Sequence, residues 1–362
     1  MTGPGLGFDV LRDASPEREA SERALAAAGV RLPLPHRTGW ALARRRITSR
    51  YVALRAPSGA YAGAFTVDAA VSRALPGYRL LRVERFGEAL AGALWPAAVD
   101  ALATIARQPR VLRLTVEVFS RDAAARTRLG TLLAQAGFRQ VGIVRNWDRT
   151  LALDLQPAEP ELLASFSQSA RQGIRSVSKA PVKVCPIDDV QLGDRLEALS
   201  RETFARTGGR YRALWDWAGV IALSRLAPDA ARLVGLFRTD RDGPEALLGF
   251  AWGWWNGQSA SYFAGASARP RDLRVQIGQP LLWDLIVWAK RAGAAWFDLG
   301  GVSAGSARSG DPVGGISDFK RTFSKEIAEV AEDWTLEAHR VPARLAALVS
   351  SGAAWLSRMG GR

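Results

Sequence analysis

The same rhythm occurs twice in this chain, and it limits the folds available. In the first half, PRVLRLTVEV (109–118) alternates apolar and polar residues as a half-buried strand does. A helix-like run over 123–138 ends at Gly137, and 140–155 supplies further strand material. In the second half, 233–238 and 246–256 read as strands joined by TDRDGPE, whose Asp242-Gly243 is a strong turn signal. SASYFAGAS (259–267) is the next strand. The run 280–293 reads as a helix with Pro280 in its first turn and Gly293 at its end, and WFDLGG (296–301) as a short buried strand. Strands, helix, glycine and strand, twice over, predict two α/β (α+β) domains, each a mixed twisted sheet flanked by helices. A length of 362 residues agrees with two cores. The Pro/Glu stretch QPAEPE (156–161) marks the joint, which predicts domains over 1–157 and 158–340 and a helical tail over 341–362.

Composition narrows the chemistry. Forty-nine Lys and Arg against 35 Asp and Glu give a net charge of +14, which favours an anionic partner. A genome rich in Arg and Ala codons would produce the same surplus. Cys185 is the only cysteine, so an internal disulfide and a cysteine-rich metal site are excluded. His36 and His339 are the only histidines, and no nucleophile motif frames either. Chemistry in this chain is therefore expected to run without histidine, cysteine or metal. The N-terminus reads as no signal peptide, and no run reaches the roughly 18 apolar residues that span a bilayer, so the expected location is cytoplasmic. In the tail, Leu345, Leu348, Leu356 and Met359 stand near helical spacing. Packing on its own domain is the favoured reading, and the inner membrane face is the other.

Two stretches stand out. In ELLASFSQSARQGIRSVSK (161–179), Leu163, Phe166, Ala170, Ile174 and Val177 form an apolar helix stripe. Beside it, Arg171, Arg175 and Lys179 stack at i, i+4 and i+8. Like charges at that spacing repel by a few tenths of a kcal/mol per pair, which an anionic ligand would relieve. A solvated basic face is the plainer alternative. In GGISDFKRTFSKE (314–326), Lys320 follows a glycine pair and lies between Phe319 and Phe323. A phosphate cradle, a catalytic cation and an amphipathic segment all fit those residues.

SARQGIRSVSKAPVKV (169–184), RETFARTGGRY (201–211), WFDLGGV (296–302) and GGISDFKRTFSKE come in an order that resembles the Fem family of peptidoglycan-bridge aminoacyltransferases. The BioF2-like acetyltransferases share that order. The likeness covers roughly 30–335 and is loose in the first half, around Trp40, 136–138 and 146–155. It implies two tandem GNAT-like domains and formation of an amide bond on an amino group of a cell-wall or surface-glycan precursor. The family's catalytic lysine falls on Lys320, beside Phe319. A fixed cation aimed at the tetrahedral oxyanion in a dry site is worth several kcal/mol, and lysine supplies one without histidine or metal. Arg171 and Arg175 match the helix that holds the phosphates of a nucleotide- or lipid-linked precursor. A guanidinium fork suits phosphate well. Arg210 and Tyr211 are expected along the same cleft, or in a surface turn. Asp298, at the end of a buried strand, is expected to orient Lys320 or the amine, or to cap the Gly300-Gly301 turn.

No tightly bound cofactor is expected. The donor implied is an aminoacyl-tRNA or an acyl-CoA. An acetyl-CoA loop has its nearest counterpart in VQIGQP (275–280), where Pro280 removes one backbone donor, which tilts the expectation toward aminoacyl-tRNA. The rivals are an acyl-CoA-dependent N-acyltransferase of polysaccharide biosynthesis and a non-catalytic module that binds tRNA or an anionic glycan.

Overall fold

The computed structural model describes residues 6–12, 15–44, 48–88, 90–142, 149–207, 211–311, 314–339, 341–343, 345–346 and 348–349. The strands are β1 (Gly7–Arg12), β2 (Thr48–Arg55), β3 (Tyr61–Val71), β4 (Arg79–Phe86), β5 (Val111–Phe119), β6 (Arg139–Val141) and β7 (Arg149–Asp154). They continue with β8 (Val182–Pro186), β9 (Ala231–Arg238), β10 (Leu247–Trp255), β11 (Ser259–Ser267), β12 (Trp296–Gly301), β13 (Glu326–Glu329) and β14 (Ala331–Leu336). The helices are α1 (Pro16–Ala27), α2 (Trp40–Ala43), α3 (Trp95–Ala106), α4 (Ala123–Gln135) and α5 (Glu159–Ser165). After them come α6 (Gln168–Ser176), α7 (Gly193–Arg206), α8 (Trp217–Leu226), α9 (Gly278–Arg291) and α10 (Gly314–Arg321). No helix among the described residues is long and apolar enough to cross a membrane.

The chain divides into two units, 1–38 with 46–145 and 330–362, and 39–45 with 146–329. The first holds a seven-stranded sheet in the order β1-β2-β3-β4-β5-β14-β6. Its core gathers Val52, Phe65, Phe86, Leu102, Val116 and Trp334. Strands β4 and β5 pair in parallel from Arg79↔Val111 to Phe86↔Val118. Buried Arg82 fills the space beside that ladder, with Glu117 at 3.8 Å and Asp333 at 3.5 Å.

The second unit repeats the plan, in the order β13-β7-β12-β11-β10-β9-β8. Strand β10 is buried along its whole length, which its run of apolar residues demands in a sheet covered on both faces. Phe166, Leu236, Leu285, Phe297 and Phe323 lie in its core. A nest of tryptophans covers another face of the same sheet. Trp40 and Trp254 meet edge to face with centroids 5.0 Å apart, and Trp215 meets Trp252 at the same distance. Helix α2, which carries Trp40, thus belongs to this unit although it lies early in the chain.

A linear division at residue 157 therefore describes neither sheet. Strand β7, read as first-domain material, inserts between β12 and β13 of the second unit. Strand β14, read as second-domain material, inserts between β5 and β6 of the first. Each strand joins the sheet whose core takes its apolar face: Leu151 and Leu153 pack into the second core, and Trp334 into the first.

One local expectation changes as well. The helix expected across 161–179 breaks, because Phe166 is extended (φ −71°, ψ 158°) and the Ser167 hydroxyl accepts from the Ala170 N–H at 3.2 Å, starting a new helix. In the described part of the tail Val341, Leu345, Leu348 and Val349 are exposed while Ala343 is buried. The tail's remaining residues, among them Leu356 and Met359, lie outside the described residues.

Candidate active site

Strands β11 and β12 run in parallel, but their pairing covers only Ser259↔Trp296, Ala260↔Phe297 and Ser261↔Asp298. Beyond that last pair the strands part, and the opening lies at the carboxyl ends of parallel strands, where α/β sheets bind ligands. In the first unit the parallel ladder breaks after Val83↔Val116 and resumes at Phe86↔Val118, the end of β4.

Lys320 reaches this opening. Its ammonium donates to the Gly301 carbonyl at 2.8 Å. A Cβ built on Gly300 would stand 3.1 Å from Lys320 Nζ and 3.5 Å from the Tyr262 carbonyl oxygen, so both edges of the opening border the lysine. The side chain is 7% exposed. Burial pulls its pKa down from the usual lysine value to about 8, and the negative charge of Asp298 opposes that pull. On the facing strand, burial pushes the Tyr262 phenol up to about 12.

The lysine is held firmly. Arg321 donates to the carbonyls of Ser303 and Gly305 and to the Asp318 carboxylate, which ties α10 to the loop after β12. The Ser317 hydroxyl accepts from the Ser303 N–H at 3.1 Å. Phe323 packs on Phe166 and on Phe319, with centroids 5.1 and 5.6 Å away. The Phe319 ring lies against Gly278, where a Cβ would come within 3.0 Å.

Asp298 caps the glycine turn, its Oδ1 accepting from the Gly300 N–H at 2.8 Å, and its negative charge opposes the lowering of the Lys320 pKa. Three further residues, which no motif marks, complete its surroundings. Thr150 of β7 donates its hydroxyl to Oδ1, and Ser261 of β11 donates to Oδ2 at 3.1 Å. Asn256 donates from Nδ2 to Ser261 Oγ at 3.0 Å. The residue opposite Asp298 in the β7 register is Ala152, two along from Thr150 on the same face of the strand.

The other candidates are arranged differently. Arg171 Nη1 donates to the carbonyls of Ala164 and Phe166, closing the end of α5. Arg175 is exposed one turn further along α6. Gly173, between them, faces Gln276 and Gln279; a Cβ there would meet Gln276 Oε1 at 2.3 Å. Helix α6 therefore presses on 276–279, the start of α9, whose Gly278 touches Phe319. Tyr211 donates to Glu197 and stacks edge on with Phe204 at 5.5 Å, so it packs on α7. Arg210 lies outside the described residues.

Known proteins share this fold. Residues 164–321 match the family model described as an acetyltransferase (GNAT) domain. The solved structure of FemX superposes with a TM-score of 0.61 at 16% identity, over 80% of this chain and 88% of that one. L-PGS from Bacillus licheniformis gives 0.54 at 13% identity over 94% and 98% of the two chains. The C-terminal domain of a lysylphosphatidylglycerol synthetase from Agrobacterium fabrum gives 0.52 at 14% identity over 92% and 96%. No curated protein sequence matches the chain. Residues 164–321 thus match an acetyltransferase (GNAT) domain, and the chain as a whole is similar in fold to FemX.

Proposed function

We propose that the protein transfers an aminoacyl or acyl group to an amino group of a cell-wall or surface-glycan precursor, in the manner of the Fem enzymes. The observation that carries this reading is the buried Lys320 ammonium at the point where β11 and β12 part. The acceptor nitrogen attacks the acyl carbon, the carbonyl electrons move onto oxygen, and Lys320 donates a hydrogen bond to that oxyanion. Collapse of the intermediate expels the donor's oxygen or sulfur, and the proton shed by the amine leaves with it. Asp298, already the target of three hydrogen bonds, serves Lys320 in this scheme rather than acting as the base. A substrate-assisted proton transfer then needs no protein base.

Arg175 on α6, with Arg171 behind it, is the pair offered to the phosphates of a nucleotide- or lipid-linked acceptor, and the +14 charge favours that acceptor or an aminoacyl-tRNA. Tyr211, which packs on α7, is offered to the same acceptor, and so, by its place in the sequence alone, is Arg210. The exposed apolar residues of the tail favour contact with the inner membrane face.

The reading is tested by comparing cell-wall and surface-glycan amines by mass spectrometry in cells with and without the protein, and with Lys320→Met. Substitution of the lysine is expected to abolish the modification, and its persistence would overturn the catalytic assignment.

A second reading, an acyl-CoA-dependent N-acyltransferase, is favoured by the acetyltransferase description of the matched family. Against it stands the start of α9, where Pro280 lacks an N–H, Phe319 covers Gly278 and Gln276 packs under α6. Calorimetric titration with acetyl-CoA separates the two. Saturable one-to-one binding supports the second reading, and no heat supports the first.

A further inference from the structure

A buried polar chain runs away from Lys320. Asp298, Thr150, Ser261 and Asn256 are each at most 5% exposed. A carboxylate only accepts, so the single proton of Ser261 is committed to Asp298 Oδ2. Asn256 must then present its NH2 to Ser261, which is the arrangement found at 3.0 Å. The order Asn256 to Ser261 to Asp298 thus has one direction. The Thr150 hydroxyl and the Gly300 N–H meet on the other carboxylate oxygen.

The arrangement is costly. Asn256 Oδ1 is buried with no hydrogen-bond partner among the described residues, and a buried unmatched carbonyl costs about 1–3 kcal/mol. Apolar residues of similar size would pack this strand junction without that penalty. The chain instead carries three uncharged polar side chains behind one carboxylate, and one of them comes from the first half of the sequence.

We propose that Thr150, Ser261 and Asn256 are positioning residues that hold the Asp298 carboxylate toward the Lys320 ammonium. The proposal rests on the reading of Lys320 as the group that meets the oxyanion. The charges facing the lysine from neighbouring elements are few. Asp298 acts on it from β12, while the Tyr262 phenol of β11 is neutral at working pH. On α10 itself, Asp318 and Arg321 pair with each other at 3.0 Å. The start of α9, over 276–279, brings uncharged glutamines, and β7 brings the uncharged Thr150. Removing a hydroxyl donor from Asp298 weakens or turns the one countercharge opposing burial, so the Lys320 amine must lose its proton at lower pH.

The test uses the full chain and needs no substrate. Acetic anhydride labels amines only when they are unprotonated, and mass spectrometry of the Lys320 peptide gives the midpoint of labelling against pH. In Thr150→Val and in Ser261→Ala the midpoint is expected to fall by about one unit, while Thr150→Ser keeps it near the parent value. The proposal is overturned if the Val and Ala variants titrate with the parent, or if Thr150→Ser moves as far as Thr150→Val. Should Thr150→Val fail to fold, Ser261→Ala alone decides by the same criterion. A shifted midpoint in a protein whose Lys320→Met variant still modifies its acceptor keeps the positioning role and removes the catalytic reading. An unmoved midpoint with an inactive Lys320→Met variant does the opposite.

Discussion

Lys320 and Gly300 are matched: the lysine nitrogen stands 3.1 Å from the place where a Cβ on Gly300 would be. Gly300 also has φ +82°, a backbone state that side chains resist. Gly300→Ala therefore strains the turn and pushes the flexible end of the lysine aside. A displacement of about an ångström in a catalytic group lowers turnover between ten- and a hundredfold, roughly. The expected result is a loss of that size, with a melting temperature only a few degrees lower. Turnover equal to the parent would show that the lysine needs no fixed place.

Activity and stability should respond to alkaline pH in opposite directions. The lysine is an oxyanion donor only while protonated, so turnover should fall as pH rises through about 8. Between about 8 and the ordinary lysine value of 10.5 the unfolded chain binds more protons than the folded one. Stability from this group therefore increases with pH over that window, by on the order of 3 kcal/mol when complete. Urea unfolding of the parent and of Lys320→Met across the window isolates the contribution. The difference between the two proteins should shrink as pH rises.

Gly219 in α8 lets the chain of α2 pass against it. A Cβ at that position would lie 1.7 Å from the Leu42 carbonyl oxygen, and a backbone atom cannot step aside as a side chain can. Gly219→Ala is expected to displace α2 and with it Trp40, at a cost of several kcal/mol. Loss of near-ultraviolet dichroism from the tryptophan nest, with a lower urea midpoint, would show it. An unchanged spectrum would mean that α2 does not hold the nest together.

How far the residues themselves announced all this depends on the kind of signal. Strands β10 and β11 and helix α9 were legible because each carries its own periodicity and its own turn or stop residue. Lys320 stood out through its neighbours, Phe319 and Phe323, and through the scarcity of histidine and cysteine. Thr150, Ser261 and Asn256 were not legible, since a hydroxyl or amide on a strand looks alike whether it faces solvent or a buried carboxylate. Arg171 read as a free cation because a guanidinium turning back onto carbonyls five and seven residues earlier leaves no pattern. The partners of β7 and β14 were hidden for a different reason. Alternation says which face of a strand is buried but not which sheet takes it.

That exchange predicts how the chain behaves when divided. A fragment ending at residue 157 lacks β14, so β5 and β6 have no strand between them; a fragment starting at 158 lacks β7, between β12 and β13. Each fragment alone should be insoluble or unfolded by circular dichroism, because a missing inner strand opens the core and exposes two edges. Produced in one cell, the two should co-purify as a folded pair. A first fragment that melts cooperatively by itself would contradict the pairing described for β14.

Synthesis on a ribosome meets the same arrangement as a matter of timing. The second sheet receives its last strand at Glu329 and the first at Leu336, only seven positions later in the chain. Every residue up to Glu329 must emerge before either sheet can close, so the usual order of one finished domain followed by another is not open to these two units. The nascent chain carries unpaired strand edges until then and completes both units almost together.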